Sequence, residues 1–264
     1  MTKNRSHFDH VGSFLRPQEL KTARNQYEAN QLSLADYKTV QHEAIEKLVK
    51  KEVAVGLTSV TDGEFNRSWW HLDFLWGLKG VGKYEQTDSY KFHGAKTRTT
   101  NIELTSKVAY NPNHPFFEDF EFLKSILPPG VEPKVTIPSP SLIPNRDGRS
   151  DRWPEFYGSW EEFLDDLAQA YHETLLHFYE LGARYIQLDD TTWAYLIARL
   201  LDDPENREKY VKMCEDIVYL VNQLLKDLPE DLRVSTHICR GNFKSTYLFE
   251  GSYEPVAKYL GQLN

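Results

Sequence analysis

Gly182-Ala183-Arg184-Tyr185-Ile186-Gln187-Leu188-Asp189-Asp190 is the stretch that decides the fold. Upstream, Ser159 to Leu181 reads as a strongly amphipathic helix, with Ser159 as cap and Glu162 in the capping-box position. Gly182 supplies the stop. Arg184 to Leu188 is then a buried-type strand, and two carboxylates follow at its exit. The same order recurs on either side. Leu34 to Val55 carries apolar residues at helical spacing, Gly56 ends it, and the strand Leu57-Thr58-Ser59-Val60-Thr61 leads into Asp62-Gly63-Glu64-Phe65. Pro204 suits the first turn of a helix running from about Glu205 to Leu228. The strand from Leu232 to Thr236 then runs into His237-Ile238-Cys239, and Glu254 to Leu260 begins another helix.

Helix, glycine or proline, strand, polar cluster: this repeat predicts an α/β fold with parallel strands and polar chemistry at their carboxyl ends. A barrel active-site face needs that convergence. A doubly wound sheet would place ligands similarly, but no glycine-rich dinucleotide turn is present. Strands are expected at 10–14, 57–61, 101–110, 134–137, 184–188 and 232–236, the one at 101–110 reading equally as an arm of a hairpin. Six is two short of a closed (β/α)8 TIM-type barrel. Because Asn264 falls just after a helix, residues 1–264 are expected to form a single α/β barrel domain lacking the last two strand–helix units.

Composition narrows the function. The chain of 264 residues is 40% hydrophobic and 27% charged with a formal net charge of -8, enough for one sizeable core. No basic run is flanked by aromatics, so nucleic acid is excluded as a partner. Two cysteines, Cys214 and Cys239, make no disulfide framework; Cys214 falls on an apolar helix face and reads as core. No membrane span is visible, nor a secretory signal in the polar stretch from Met1 to Arg16. The expected setting is cytoplasmic and reducing.

Alternation on the last strand sends His237 and Cys239 to one side, where both can reach a single ion. Zinc takes such ligands readily, although a bare His-x-Cys reads also as a packed pair at a strand end. Glu64 and Asp189, carboxylates at two other strand ends, read either as caps or as a pair that binds a cation. Asp62 and Asp190 read as groups orienting those side chains or a metal-bound imidazole, or as solvated loop positions. His7, Asp9 and His10 could make a second metal site or simply meet water. Trp69, Trp70 and Trp76 could stack on a flat ring or pack. Lys96, Arg98 and Arg149 could meet an anionic tail or face solvent.

Four pieces carry a resemblance: Val11-Gly12-Ser13-Phe14, Asp62-Gly63-Glu64-Phe65-Asn66-Arg67, Tyr185-Ile186-Gln187-Leu188-Asp189-Asp190 and Thr236-His237-Ile238-Cys239. Together and in this order they resemble the cobalamin-independent methionine synthase family, catalytic-domain type, particularly its short bacterial relatives that lack the N-terminal half. The resemblance implies a (β/α)8 barrel with one zinc. It implies transfer of a methyl group from 5-methyltetrahydrofolate, with a polyglutamate tail, to homocysteine, giving methionine. On that basis His237 and Cys239 are zinc ligands, Ser13 lies near the homocysteine carboxylate, and Glu64 and Asp189 hold its ammonium. The family's other two ligands, a Glu and a Cys from its last two strands, find no match here, and no residue is assigned as proton donor. Two motifs depart from the family: Asp190-Thr191 stands for Glu-Pro, and Asp62-Gly63-Glu64 for His-Gly-Glu. Two alternatives stand beside this reading. One is a related zinc-thiolate methyltransferase with another donor or thiol. The other is a degenerate, non-catalytic barrel with a binding role.

Overall fold

The computed structural model describes residues 8–87, 91–92, 95–146, 148–242 and 246–264, with the side chains of 91–92 and 95–96 excepted. In chain order the elements are α1 (Gln18–Glu28), α2 (Leu34–Ala54), β1 (Ser59–Val60), α3 (Leu72–Leu75), β2 (Lys79–Glu85), β3 (Lys91–Phe92) and β4 (Ala95–Lys96). There follow β5 (Thr100–Ala109), α4 (Pro115–Ser125), β6 (Glu132–Pro138), α5 (Trp160–Leu181), β7 (Tyr185–Asp190), α6 (Thr192–Asp202), α7 (Arg207–Leu225), β8 (Arg233–Ile238) and α8 (Ala257–Leu260).

The sheet is parallel, in the order β1-β6-β7-β8. Alternation divides its two faces by chemistry. Val135, Ile137, Ile186 and Leu188 point into the main core, where they join Phe178 of α5 and Leu220 and Leu224 of α7. Each such fully buried aliphatic or aromatic side chain contributes about 1.5–3 kcal/mol relative to exposure. The opposite face carries Lys134, Thr136, Gln187 and Asp189, all buried and all polar. The helices therefore cover one face of the sheet and leave the other for polar chemistry.

The helix ends hold the strands in place. Ser159 Oγ accepts from Glu162 N at 3.1 Å, while the Glu162 carboxylate takes Gly158 N at 2.8 Å instead of closing a reciprocal capping box. At the other end Gly182 adopts φ 108°, and Ala183 N donates to Phe178 O at 2.8 Å. That turn needs a residue without Cβ strain, and it delivers the chain directly into β7.

The structure departs from expectation at several places. Residues 10–14 form no strand: Gly12 sits at φ 81°, and the His10 carbonyl accepts from the Lys134 side chain, not from a neighbouring strand. The segment 101–110 takes the hairpin-arm alternative: as β5 it pairs antiparallel with β2, outside the parallel sheet. Among the described residues that sheet therefore has four strands, where a barrel-like run of six was expected. The helices α4 and α6 lie where no helix was expected.

Glu52, near the end of α2, is 2% exposed and accepts from Thr61 N at 3.3 Å, supporting the chain just past β1. Burial pushes its carboxyl up to about 7, with Thr61 N–H pulling the other way and Asp62 and Asp9 adding repulsion. The folded state thus keeps a proton that the unfolded chain releases, and stability falls as pH rises from about 4.5 to about 7. Glu52→Gln removes this loss. We expect it to raise stability at pH 8 by on the order of 2 kcal/mol and to flatten the pH dependence, as read by denaturant unfolding at pH 5 and 8.

Candidate active site

At the carboxyl ends of these strands lies a cavity of about 700 Å³ whose wall includes Ser13, Glu64, Asp189, His237 and Cys239. Residues up to 226 positions apart in sequence are thereby gathered on one surface.

Glu64 sits on the turn leaving β1. Gly63 and Glu64 both take left-handed backbone conformations, φ 66° and 58°. For glutamate this costs roughly 1–2 kcal/mol and persists only where neighbours over-determine it. They do so here. Asp62 Oδ1 accepts from Glu64 N at 2.8 Å, and Arg16 Nη2 donates to Glu64 O at 2.8 Å. At Gly63 a Cβ would lie 2.3 Å from Leu48 Cδ2, so a side chain there would need Leu48 to shift as well as a strained backbone. The result is a carboxylate only 2% exposed that receives the Ser13 hydroxyl on Oε2 and has Arg67 Nη1 3.7 Å from Oε1.

Asp189, next to last in β7, is paired in register with His237 of β8, so the two side chains stand on the same face about 4.8 Å apart in strand spacing. Its carboxylate is 4% exposed, and its direct partner is the neutral amide of Gln187, at 2.6 Å. Burial, then the charge of Glu64, push its carboxyl up to about 7, against the pull of Gln187, Arg67 and Lys134. A second cation here would relieve that pressure. Burial and the Lys134 charge push the His237 imidazole below its ordinary value, leaving it neutral with a lone pair to offer. Burial first, then Asp189 and Glu64, push the Cys239 thiol up, opposed by the hydrogen bond from Gly241 N–H. That environment favours the protonated thiol, and a neighbouring cation would favour the thiolate.

His237 and Cys239 are thus donors of the kind zinc takes. Among the described residues, however, no three His, Cys, Asp or Glu side chains group so as to hold a metal. A catalytic zinc keeps three protein ligands. The described set fits the ion in chemistry and falls short of it in number.

Asp62 and Asp190 are not in the cavity wall. Asp62 shapes the turn under Glu64 and also accepts from Asn66 Nδ2 at 3.0 Å. Asp190 points to the other side of β7, where it accepts from Ser141 Oγ at 2.9 Å and Thr192 N at 2.8 Å. Trp69 and Trp70 line the cavity with Arg98 and Arg149. Trp76 instead donates to Asn101 O. His7 lies outside the described residues, as does the Lys96 side chain; Asp9 and His10 are engaged by Lys134. Cys214 is fully buried in the core, as expected.

The sequence reading passed over Arg67 as a site residue. It is 3% exposed, donates to Thr136 Oγ1 at 2.9 Å and to Trp70 O at 3.1 Å, and is the cation beside Glu64. The signal was available: two buried carboxylates near each other call for a cation, and an arginine stands three residues after Glu64.

Comparison with known proteins follows this geometry. Residues 9–92 match the family described as cobalamin-independent synthase, catalytic domain. The chain is 37% identical over 258 residues to YxjH of Bacillus subtilis, an uncharacterized protein, covering 95% of this chain and 66% of that one. Methionine synthase of Sulfurisphaera tokodaii is 25% identical over 259 residues, covering 96% of this chain and 64% of its own. A Listeria monocytogenes structure, described as a vitamin-B12 independent methionine synthase, superposes with TM-score 0.72 at 36% identity over 89% of this chain and 65% of that one. A B12-independent methionine synthase from Shewanella shares the fold, with TM-score 0.57 at 19% identity over 80% of this chain and 55% of that one. The chain spans between half and two thirds of the length of the curated relatives it matches, 66% for YxjH.

Proposed function

The chain belongs to the catalytic-domain family of cobalamin-independent methionine synthases, and from that premise we propose that its cavity methylates the sulfur of homocysteine, with a methylated folate as donor, to give methionine. One observation carries the reading. Two buried carboxylates, one of them without a direct cationic partner among the described residues, share a cavity wall with a neutral imidazole and a thiol. An amino acid with a sulfur-bearing side chain presents complementary groups, an ammonium at one end and a thiol at the other.

In this reading Glu64 and Asp189 hold the ammonium, and Ser13, already donating to Glu64, lies near the carboxylate. Arg67, with Nη1 3.7 Å from Glu64 Oε1, helps fix that carboxylate in place. The acceptor sulfur points toward His237 and Cys239, which we assign as zinc donors. A zinc held there would supply Lewis acidity that lowers the pKa of a nearby thiol. Transfer forms one S–CH3 bond and breaks one N–CH3 bond; the proton lost by the thiol balances the one gained by the folate amine. Alignment of sulfur with the methyl carbon is the contribution expected of the wall residues. Trp69 and Trp70 offer the donor's ring a stacking surface, and Arg98 offers positive charge to its acidic tail; Arg149 is 2% exposed and committed to Asn101, Leu142 O and His71. Two free thiols suit a reducing, cytoplasmic setting.

A second reading, with the same acceptor and another donor, draws on Asp190-Thr191, where the family has Glu-Pro. Arg146 donates to Thr191 Oγ1 at the cavity wall, so the surroundings of the donor differ. The test is label transfer from methyl-labelled 5-methyltetrahydrofolate, its triglutamate, a methylated corrinoid protein and a methylated sulfur compound to homocysteine. Labelled methionine from either folate is expected. Label only from another donor favours the second reading, and none from any donor overturns both.

A further inference from the structure

We propose that Lys134 is a positioning residue for the amino-acid end of the cavity. Its buried ammonium ties the irregular segment 9–16 to β6 and so sets Ser13 against Glu64. The inference rests on the reading of Ser13, Glu64 and Asp189 given above.

Lys134 is 2% exposed, on the polar face of β6. An ammonium in such a place costs several kcal/mol unless it is paired and hydrogen-bonded. Nζ donates to Asp9 Oδ2 at 2.8 Å and to the His10 carbonyl at 2.7 Å, and lies 4.8 Å from the Tyr185 ring centroid. Tyr185, the register partner of Lys134 on β7, donates its hydroxyl to the same Asp9 oxygen at 2.5 Å. Two neighbouring strands thus grip one aspartate.

The segment they grip has no ladder of its own, so it depends on such anchors. At its far end Phe14 N donates to Gly63 O at 3.2 Å, Arg16 reaches the Glu64 carbonyl, and Ser13 reaches the Glu64 carboxylate. The tether is transmitted between the ends. His10 Nε2 bonds Gly12 O at 2.6 Å, and the His10 ring stacks on Phe14 with centroids 3.7 Å apart. Lys134 itself stands off from the chemistry. Pro138, four residues further along β6, is the register partner of Asp189, which puts Lys134 about 13 Å back along the strand. It acts through the segment, without touching substrate.

The test is calorimetric titration of L-homocysteine into the wild-type chain, Lys134→Met, Lys134→Arg and Leu224→Ala, with amide hydrogen exchange on each. Leu224 is a core residue whose truncation lowers stability away from the cavity. Lys134→Met is expected to weaken binding on the order of tenfold, the scale of one hydrogen bond to a charged group. Protection of amides at 10–16 should fall while strands 185–190 and 233–238 keep theirs. Lys134→Arg should recover much of the affinity, and Leu224→Ala should bind as wild type. Unchanged affinity in Lys134→Met, or an equal loss in Leu224→Ala, overturns the proposal. Failure of the wild-type chain to bind homocysteine overturns the amino-acid reading and this inference with it. If Lys134→Met does not fold, Tyr185→Phe carries the same test, with about threefold weaker binding expected and unchanged binding as the overturning result.

Discussion

Glutamine at position 64 is expected to lower kcat/KM for homocysteine by about 10²–10³-fold, almost wholly through KM. The substitution keeps shape, and an amide oxygen can still accept the Ser13 hydroxyl. What it removes is charge. Glu64 is buried, so its attraction for an ammonium is little screened by water. In its absence the ammonium would face Asp189 alone, with the Arg67 guanidinium nearby and no longer offset. Losing one member of a buried charge pair costs about 2–5 kcal/mol, much of it from the charge left behind. Because the ammonium does not change during methyl transfer, its contact is worth the same in the ground and transition states, and kcat should move little. Steady-state kinetics on Glu64→Gln check this. A fall in kcat at constant KM would mean that Glu64 serves the reacting atoms, and the ammonium assignment would be wrong.

Serine at position 239 is expected to reduce methyl transfer more than the roughly 10–100-fold typical of losing a partner one shell out from a metal, and to lower the zinc that co-purifies with the protein. Serine replaces a polarisable sulfur with an oxygen that stays protonated near neutral pH. The wild-type thiol is itself held protonated by burial beside Asp189 and Glu64, so a bound cation is what would make it a thiolate. His237 alone would then be left as donor on β8. Elemental analysis beside the label-transfer assay tests the two effects together. Unchanged zinc and unchanged turnover in a folded Cys239→Ser protein would return His237 and Cys239 to the role of a packed pair.

Much of this site was legible because it obeys local rules. Asp189 follows from alternation along an apolar strand, and its pairing opposite His237 follows from the parallel order of strands that exit toward one side. Asp62 and Glu64 were legible as acidic residues at a strand's exit, and Gly63 between them tolerates the left-handed backbone found there. Ser159 and Gly182 bracketed α5 through capping chemistry alone.

The failures share a physical cause, which is dependence on distant partners. Val11-Gly12-Ser13-Phe14 has the look of a strand, but the carbonyl of His10 just before it is claimed by Lys134, more than a hundred residues on, and Phe14 N by the Gly63 carbonyl. Lys134 reads as an ordinary strand lysine until Asp9 and Tyr185 are known to converge on it. Ile102, Leu104 and Val108 mark β5 as a strand, yet nothing local distinguishes a hairpin arm from a member of the parallel sheet. The helix α6 is a different case. Trp193, Leu196, Ile197 and Leu200 bury one helical face, and this spacing was present in the sequence. The helix was missed because its first turn starts immediately after the acidic pair that ends β7, with no glycine or proline to mark the change.

The claim at the centre of this account is that the cavity recognises a sulfur-bearing amino acid through the Glu64 and Asp189 carboxylates. Calorimetric titration of L-homocysteine beside 4-mercaptobutanoate, which has the thiol and carboxylate without the amine, tests it most directly. Homocysteine is expected to bind, and the analogue to bind at least about 100-fold more weakly, the scale of a buried charge pair left unmatched. Equal binding of the two would mean that the carboxylates do not hold an ammonium, and the assignment of the site would fail.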